Sequence, residues 1–108
     1  MDDRIPERDW KQWRTLCATA LERFCTRILG EAAAFATGTG SAHSRYLELF
    51  DLLRERNQEM ARVFDDQRRS NAYRQMAYAV AAGIVLPAEL DGFSEQTRAT
   101  VQMMSASL

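Results

Sequence analysis

An apolar stripe recurs at helical spacing through the middle of the chain and then changes sides. The first set of apolar positions repeats every three or four residues, the spacing of one helix face. Its members are Tyr46, Leu49, Phe50, Leu53, Met60, Ala61 and Phe64. After a polar stretch at residues 65–71, a second set falls roughly 180° away at about 100° per residue. Its members are Tyr73, Met76, Ala77, Val80 and Ile84.

The change of side has two interpretations, which the sequence leaves open. Residues 65–71 are either a turn between two helices or part of one long helix. A continuous helix would present a different apolar face to a different partner on each side, which implies an oligomer. In both cases we expect the stripe from Tyr46 to Phe64 to be the core face of the second helix.

The first helix is predicted over about residues 7–35. Pro6 suits a first helical position, and Glu7 and Asp9 complement the positive start of a helix. Its apolar stripe is about 140° wide, the width expected of a core-facing helix. The stripe consists of Trp10, Trp13, Cys17, Ala20, Leu21, Phe24, Cys25, Ile28, Ala32 and Phe35.

The second helix is predicted over about residues 42–66, after a turn rich in glycine and serine. Ser41 or Ser44 can cap its start. Asn57 lies within its stripe, where a single buried asparagine can set register or partner number. The alternative is an asparagine at the edge of the stripe, hydrogen-bonded or wet.

Two more helices are predicted, over about residues 71–82 and 88–104. Ser70 is the expected N-cap of the third helix, and Gly83 is the expected left-handed stop at its end. Gly92 and Ser94 can divide the fourth helix into a short turn and a longer helix. No alternation typical of strands is present. The sequence therefore predicts an all-α fold: one domain over residues 1–108, a small bundle of about four helices, mainly antiparallel.

Composition limits the classes of function. The chain has 108 residues, 46% of them hydrophobic, and a formal net charge of −1. Because charges of both signs are spread along it, nucleic acid is disfavoured as a partner. The polar N-terminus lacks the apolar core of a signal peptide, and the longest apolar run is about half of the ~20 residues that a membrane span needs. We expect a cytoplasmic protein with no membrane partner.

Cys17 and Cys25 are the only cysteines. Eight residues apart on one helix, they would lie about 12 Å from each other, whereas a disulfide needs Cα atoms within about 7 Å. An intrachain disulfide is therefore excluded if the helix forms. We expect two buried, reduced thiols, and an intersubunit disulfide or a redox switch is the alternative.

Side chains that carry catalysis or bind metals are scarce. The acids of the second helix lie opposite its apolar stripe and are expected to form a solvated face: Glu48, Asp51, Glu55, Glu59 and Asp66. The single histidine, His43, lies near a loop and has no partner in the pattern. Gly38 and Gly40 do not form a phosphate loop. We expect no enzyme activity, and we identify no catalytic, cofactor-binding or metal-binding residue.

A surface for assembly is the sharpest functional prediction. Arg68 and Arg69, with Arg74 nearby, could bind a phosphate or a partner's carboxylate, or they could be paired internally in a plain polar turn. The expected function is self-assembly, as a homodimer, or binding to a partner protein. The candidate interface consists of Asn57, Met60, Phe64, Gln67, Arg68, Asn71 and Arg74.

Two other hypotheses remain open. A regulator that associates with nucleic acid would need six arginines to converge on one surface: Arg54, Arg56, Arg62, Arg68, Arg69 and Arg74. A small-molecule sensor would need a cavity lined by aromatic side chains, although such side chains more often fill the core. The aromatic candidates are Trp10, Trp13, Phe24, Tyr46 and Phe50.

Overall fold

The computed structural model describes residues 4–108, which form helices and turns with no β-strand. The all-α prediction is confirmed. The first three residues of the polar N-terminus, used above against a signal peptide, lie outside the described residues. The helices are α1 (Glu7–Thr37), α2 (Ala42–Phe64), α3 (Ala72–Ala81), α4 (Pro87–Leu90) and α5 (Glu95–Ala106), with one 3₁₀ turn at Arg69–Asn71.

The helices differ greatly in length, and this difference determines the shape of the molecule. At 1.5 Å per residue, α1 is about 46 Å long and α2 about 34 Å, whereas α3 and α5 are only about 15–18 Å. The molecule measures 58 × 23 × 23 Å. Between Ile28 and Leu52, which include the turn from α1 to α2, no residue is buried. One end of the molecule is therefore a packed bundle, and the other is a two-helix arm made of α1 and α2 alone.

The core lies at the bundle end. Its largest fully buried apolar side chains come from the N-terminal segment, from α1, from α3 and its following turn, and from α5: Ile5, Trp13, Met76, Ile84 and Val101. Two arginines on α1 hold the end of α3 against this core. Arg27 donates to the carbonyls of Ala82 and Gly83, and Arg23 donates to the carbonyl of Ile84. Positive side chains at the negative end of α3 stabilise it.

Two predicted helix ends are confirmed. The hydroxyl of Ser41 accepts a hydrogen bond from the amide of Ser44, so Ser41 is the N-cap of α2. Gly83 has a φ of 71°, and the amide of Ile84 donates to the carbonyl of Ala79. This pairing forms a left-handed stop, which glycine adopts because it has no Cβ.

Two other boundaries differ from the predictions. Ser70 lies inside the 3₁₀ turn and is not an N-cap, because that turn leads directly into α3 with Asn71 in the cap position. The fourth predicted helix is divided, as Gly92 and Ser94 suggested, into α4 and α5. A Cβ at Gly92 would collide with the amide of Gln12, so the chain passes close to α1 at this division.

Residues 65–68 form the turn between α2 and the 3₁₀ segment, so the continuous-helix interpretation is wrong. The helix ends because Asp65 adopts an extended conformation and Asp66 a left-handed one, with a φ of 51°. Aspartate tolerates that conformation better than most residues. The amide side chain of Gln75 then donates to the carbonyl of Asp65, which fixes the turn on α3.

The prediction for the core face of α2 is partly wrong. Its buried residues are Leu52 and Val63, while Tyr46, Phe50 and Leu53 are exposed. Leu52 and Val63 do not belong to the predicted stripe and lie about 100° around the helix from its centre, so α2 buries a different face from the predicted one. Met60 and Phe64, further along the same stripe, do pack against the core.

Both cysteines are free thiols. Cys17 is buried as expected, whereas Cys25 is only partly buried, so the prediction of two buried thiols is correct for one of them. None of the described helices combines the length and the apolar character that crossing a membrane requires.

Candidate interaction surface

The arm carries large apolar side chains that nothing in the described chain covers. The exposed fractions are 70% for Leu29, 63% for Tyr46, 55% for Phe50 and 40% for Leu53. Leu29 belongs to α1 and the other three belong to α2. We call these four residues the apolar arm face. Scattered exposed leucines are ordinary on a protein surface, but a contiguous apolar patch marks an interaction site.

The four residues share one side of the arm. Tyr46, Phe50 and Leu53 follow each other at three- and four-residue steps along α2. Tyr46 lines a shallow groove of about 220 Å³ together with Ala36 of α1. Leu29 precedes Ala36 by seven residues, which is two helical turns, so it lies on the same side of α1. The two helices therefore present one continuous face.

The apolar arm face contains no charged side chain, and the arginines beside it have hydrogen-bond or ion-pair partners close by. Arg45 turns inward and donates to the carbonyls of Phe35 and Ala36, which caps the end of α1. Arg54, next to Leu53, pairs with Asp51 at 3.3 Å. Binding to this face therefore leaves no isolated charge without its partner.

The seven residues of the predicted interface fall into separate environments. Asn57 is exposed one turn beyond Leu53, at the edge of the apolar arm face. Met60 and Phe64 pack against the protein's own core. Gln67 points back to α1, where its amide nitrogen lies 2.9 Å from the sulfur of Cys17.

The structure brings together the remaining three residues of that prediction. Arg68 donates to the carboxylate of Asp66 at 2.7 Å, and Asn71 donates to the Asp66 carbonyl at 3.0 Å. Arg74 in turn donates to the side-chain oxygen of Asn71 at 3.0 Å. This network satisfies the turn between α2 and α3 from within, which corresponds to the polar-turn interpretation. Its arginines are exposed, where such pairs contribute little to stability.

The six arginines of the nucleic-acid hypothesis are mostly engaged inside the molecule. Besides the pairs just described, Arg56 binds Glu31 and Glu59, and Arg69 donates to the carbonyl of Ile5. Arg62 is the exception, since it has no hydrogen-bond or ion-pair partner within residues 4–108. These contacts leave no convergent cluster of unpaired guanidinium groups.

The aromatic residues of the sensor hypothesis do not share one cavity. Trp13 and Phe24 are buried in the core, and Trp10 packs partly against it, under the guanidinium of Arg14. Tyr46 and Phe50 lie on the arm instead. Among residues 4–108, no group of three cysteine, histidine or acidic side chains is arranged to hold a metal ion.

The exposure of the apolar arm face was not predicted from the sequence. Tyr46, Phe50 and Leu53 were assigned to the core, and Leu29 was not singled out. A signal was present in the predicted lengths, because helices of about 29 and 25 residues cannot be covered along their whole length by much shorter ones. No protein-family model, curated protein or solved structure matches this chain.

Proposed function

We propose that the protein acts by self-assembly into a homodimer, in which the apolar arm faces of two copies pack on each other. One observation carries the proposal: no residue between Ile28 and Leu52 is buried, although Leu29, Tyr46 and Phe50 are more than half exposed there. An amphipathic helix needs a partner for its apolar side. Within one chain, each of the two arm helices has only the other arm helix as a packing partner.

The arm can supply the centre of a dimer interface. From Ile28 to Thr37, α1 runs for about 15 Å, and two adjacent helices are about 20 Å wide. The resulting face measures about 300 Å² in projection, and the relief of its side chains enlarges its accessible area. A standard interface buries about 800 Å² per partner, so the border of the face would supply the rest. Two arms would then form a four-helix bundle, packed mainly antiparallel, in which each copy supplies one layer of two helices.

A second copy suits this surface because the surface is self-complementary in charge. An isologous interface places the same surface of both copies in contact, so a charge at its centre would lie beside the identical charge of the other copy and be repelled. The apolar arm face has none, and at its border Asp51 and Arg54 provide one charge of each sign. Asn57 lies at the same border, where an asparagine pair can fix the register of two helices.

The decisive experiment is the molar mass in solution, measured by size-exclusion chromatography with light scattering. We expect twice the monomer mass of 12.3 kDa. Phe50→Glu should give a monomer, because a carboxylate would be buried at the centre of the interface. Met103→Glu is the matched control: Met103 is 68% exposed but lies on α5, away from the arm.

A monomeric wild-type protein at micromolar concentration would overturn the proposal, as would equal masses for Phe50→Glu and Met103→Glu. Circular dichroism on both variants shows whether the helices remain formed.

The cytoplasm remains the proposed location, and the free thiols of Cys17 and Cys25 are consistent with a reducing compartment.

A further inference from the structure

A groove on the opposite side of the two long helices has the features of a ligand site. It has a volume of about 480 Å³ and lies between α1, α2 and the end of α3. Small-molecule sites usually measure about 300–1,000 Å³. Arg27 precedes Leu29 by two residues and Arg62 follows Leu53 by nine, which places both roughly 180° from the apolar arm face. The groove is therefore built by a single chain and is separate from the proposed dimer interface.

The floor of the groove is apolar and preformed. Phe24 of α1 and Val63 of α2 line it, and each is only 4% exposed. The ring of Tyr78 and the small side chains of Ala81 and Ala82 form the wall at the end of α3. Leu108 also lines the groove.

The charged side chains of the rim are three arginines and two glutamates, so one positive side-chain charge remains after the internal pairs. Arg56 makes two hydrogen bonds to Glu31, of 2.9 and 3.1 Å, and a third to Glu59. These bonds lower the pKa of Glu31, so its carboxylate stays ionised and engaged. Arg27 and Arg62 are left as the lining cations without a carboxylate partner in the described residues.

Two groups on the groove lack a partner and can bind a ligand. Arg62 makes no hydrogen bond or ion pair within residues 4–108, and the hydroxyl of Tyr78 makes none there either. Arg27, by contrast, is fixed by its bonds to the carbonyls of Ala82 and Gly83, at 2.6 and 2.9 Å. A guanidinium and a phenol are suitable donors for one carboxylate.

We propose that this groove binds a small carboxylic acid with an apolar body. The carboxylate lies against Arg62 and Tyr78, and the apolar body lies on Phe24 and Val63. A metal cation is a poor match, because Arg56 already occupies the carboxylates of Glu31 and Glu59. A polyanion is also a poor match, since the floor is apolar and one unpaired guanidinium neutralises one negative charge.

The test uses octanoate as the probe and ¹⁵N-resolved NMR titration of the full chain as the readout. We expect the amides of Ala81 and Ala82 to shift with millimolar octanoate and not with its neutral counterpart, 1-octanol. Arg62→Met should weaken octanoate binding about tenfold or more, a loss of at least ~1.4 kcal/mol. Arg54→Met is the matched control, because Arg54 lies on the same helix outside the groove and pairs with Asp51.

A second variant tests the apolar part of the site. Ala81→Leu places a larger side chain on the exposed wall and should block binding while α3 remains helical, since leucine is a good helix former. Equal affinities of wild type and Arg62→Met, or no shift at the groove amides, would overturn the proposal. Neither outcome bears on the dimer, whose test is the molar mass.

Discussion

The hydroxyl of Thr97 on α5 donates a 2.5 Å hydrogen bond to the carboxylate of Asp9 on α1. The hydroxyl of Ser94 donates to the same oxygen at 2.5 Å, and the amide of Ser94 donates to the other oxygen at 3.2 Å. Asp9 is only 2% exposed. A carboxylate from the start of one helix therefore caps the start of another, where negative charge is favourable.

Removing the charge of this cap should cost much of the stability of the bundle. We expect Asp9→Asn to lower the free energy of unfolding by about 2 kcal/mol, because buried hydrogen bonds to an ionised group contribute roughly 1.5–3 kcal/mol. Urea denaturation followed by circular dichroism measures the change. Asp51→Asn is the control: it removes an exposed pair with Arg54 and should cost under about 0.5 kcal/mol. Equal losses for the two variants would contradict the capping role.

The same carboxylate makes stability depend on pH in a defined direction. Burial alone would raise the pKa of Asp9. The hydrogen bonds from Ser94 and Thr97 together lower it by a larger amount, so its folded-state pKa is below the usual value. An unfolded aspartate titrates near about 3.9. Between these two pKa values the unfolded chain binds more protons, so the free energy of unfolding falls as the pH falls.

This dependence is best measured as a difference between two proteins, because Glu31 and Glu89 also have lowered pKa values and titrate in the same range. The stability advantage of wild type over Asp9→Asn should be constant above about pH 5 and should shrink as the pH falls through the folded-state pKa of Asp9. Urea midpoints at a series of pH values provide the curve. An advantage that grows on acidification would show that the sign is wrong.

Two glycines should respond in opposite ways to the same substitution. Gly83 has a φ of 71°, so Gly83→Ala should destabilise the protein by about 1 kcal/mol, the cost of a left-handed conformation for an L-residue. Gly30 lies inside α1 with no atom within 4 Å of an added Cβ. Gly30→Ala should stabilise by about 0.5–1 kcal/mol, because alanine loses less backbone entropy in a helix. Thermal unfolding of both variants checks the pair, and shifts of the same sign would contradict it.

The two thiols should differ in reactivity. Burial raises the pKa of Cys17 to about 11, while its contacts with Gln67 and Arg14 oppose the rise. Because the thiolate is the reactive form, Cys17 should resist alkylation in mildly alkaline buffer. Cys25 is partly exposed and should react first. Peptide mass spectrometry after iodoacetamide treatment identifies the modified residue, and the same reaction in denaturant should label both. Faster labelling of Cys17 in the native protein would exclude this burial.

The features that could be predicted from the sequence depend on neighbours along the chain. Ser41, one of two candidate caps, and Gly83 could be predicted as helix ends because a cap and a left-handed stop require particular residue types within one turn of the helix. The burial of Trp13 and Phe24 followed in the same way from the spacing of apolar residues in α1.

The features that could not be predicted depend on packing between distant segments. Asp9 was assigned to its own helix start, because nothing in the sequence places it beside Thr97, 88 residues later. The prediction of which face α2 buries was partly wrong for a related reason. Apolar residues stand on more than one side of this helix, so it can bury Leu52 or Phe50, and the choice depends on which side lies against other helices.

Because arm and bundle are separate, the length of the arm can change without altering the contacts that stabilise the bundle. The cap at Asp9, the stop at Gly83 and the core all lie at one end, while the turn at residues 38–41 lies at the other. Inserting one heptad into each arm helix should move that turn outward by about 10 Å without disturbing a buried contact. The arm can thus be lengthened on an unchanged base, and small-angle scattering would measure its extension.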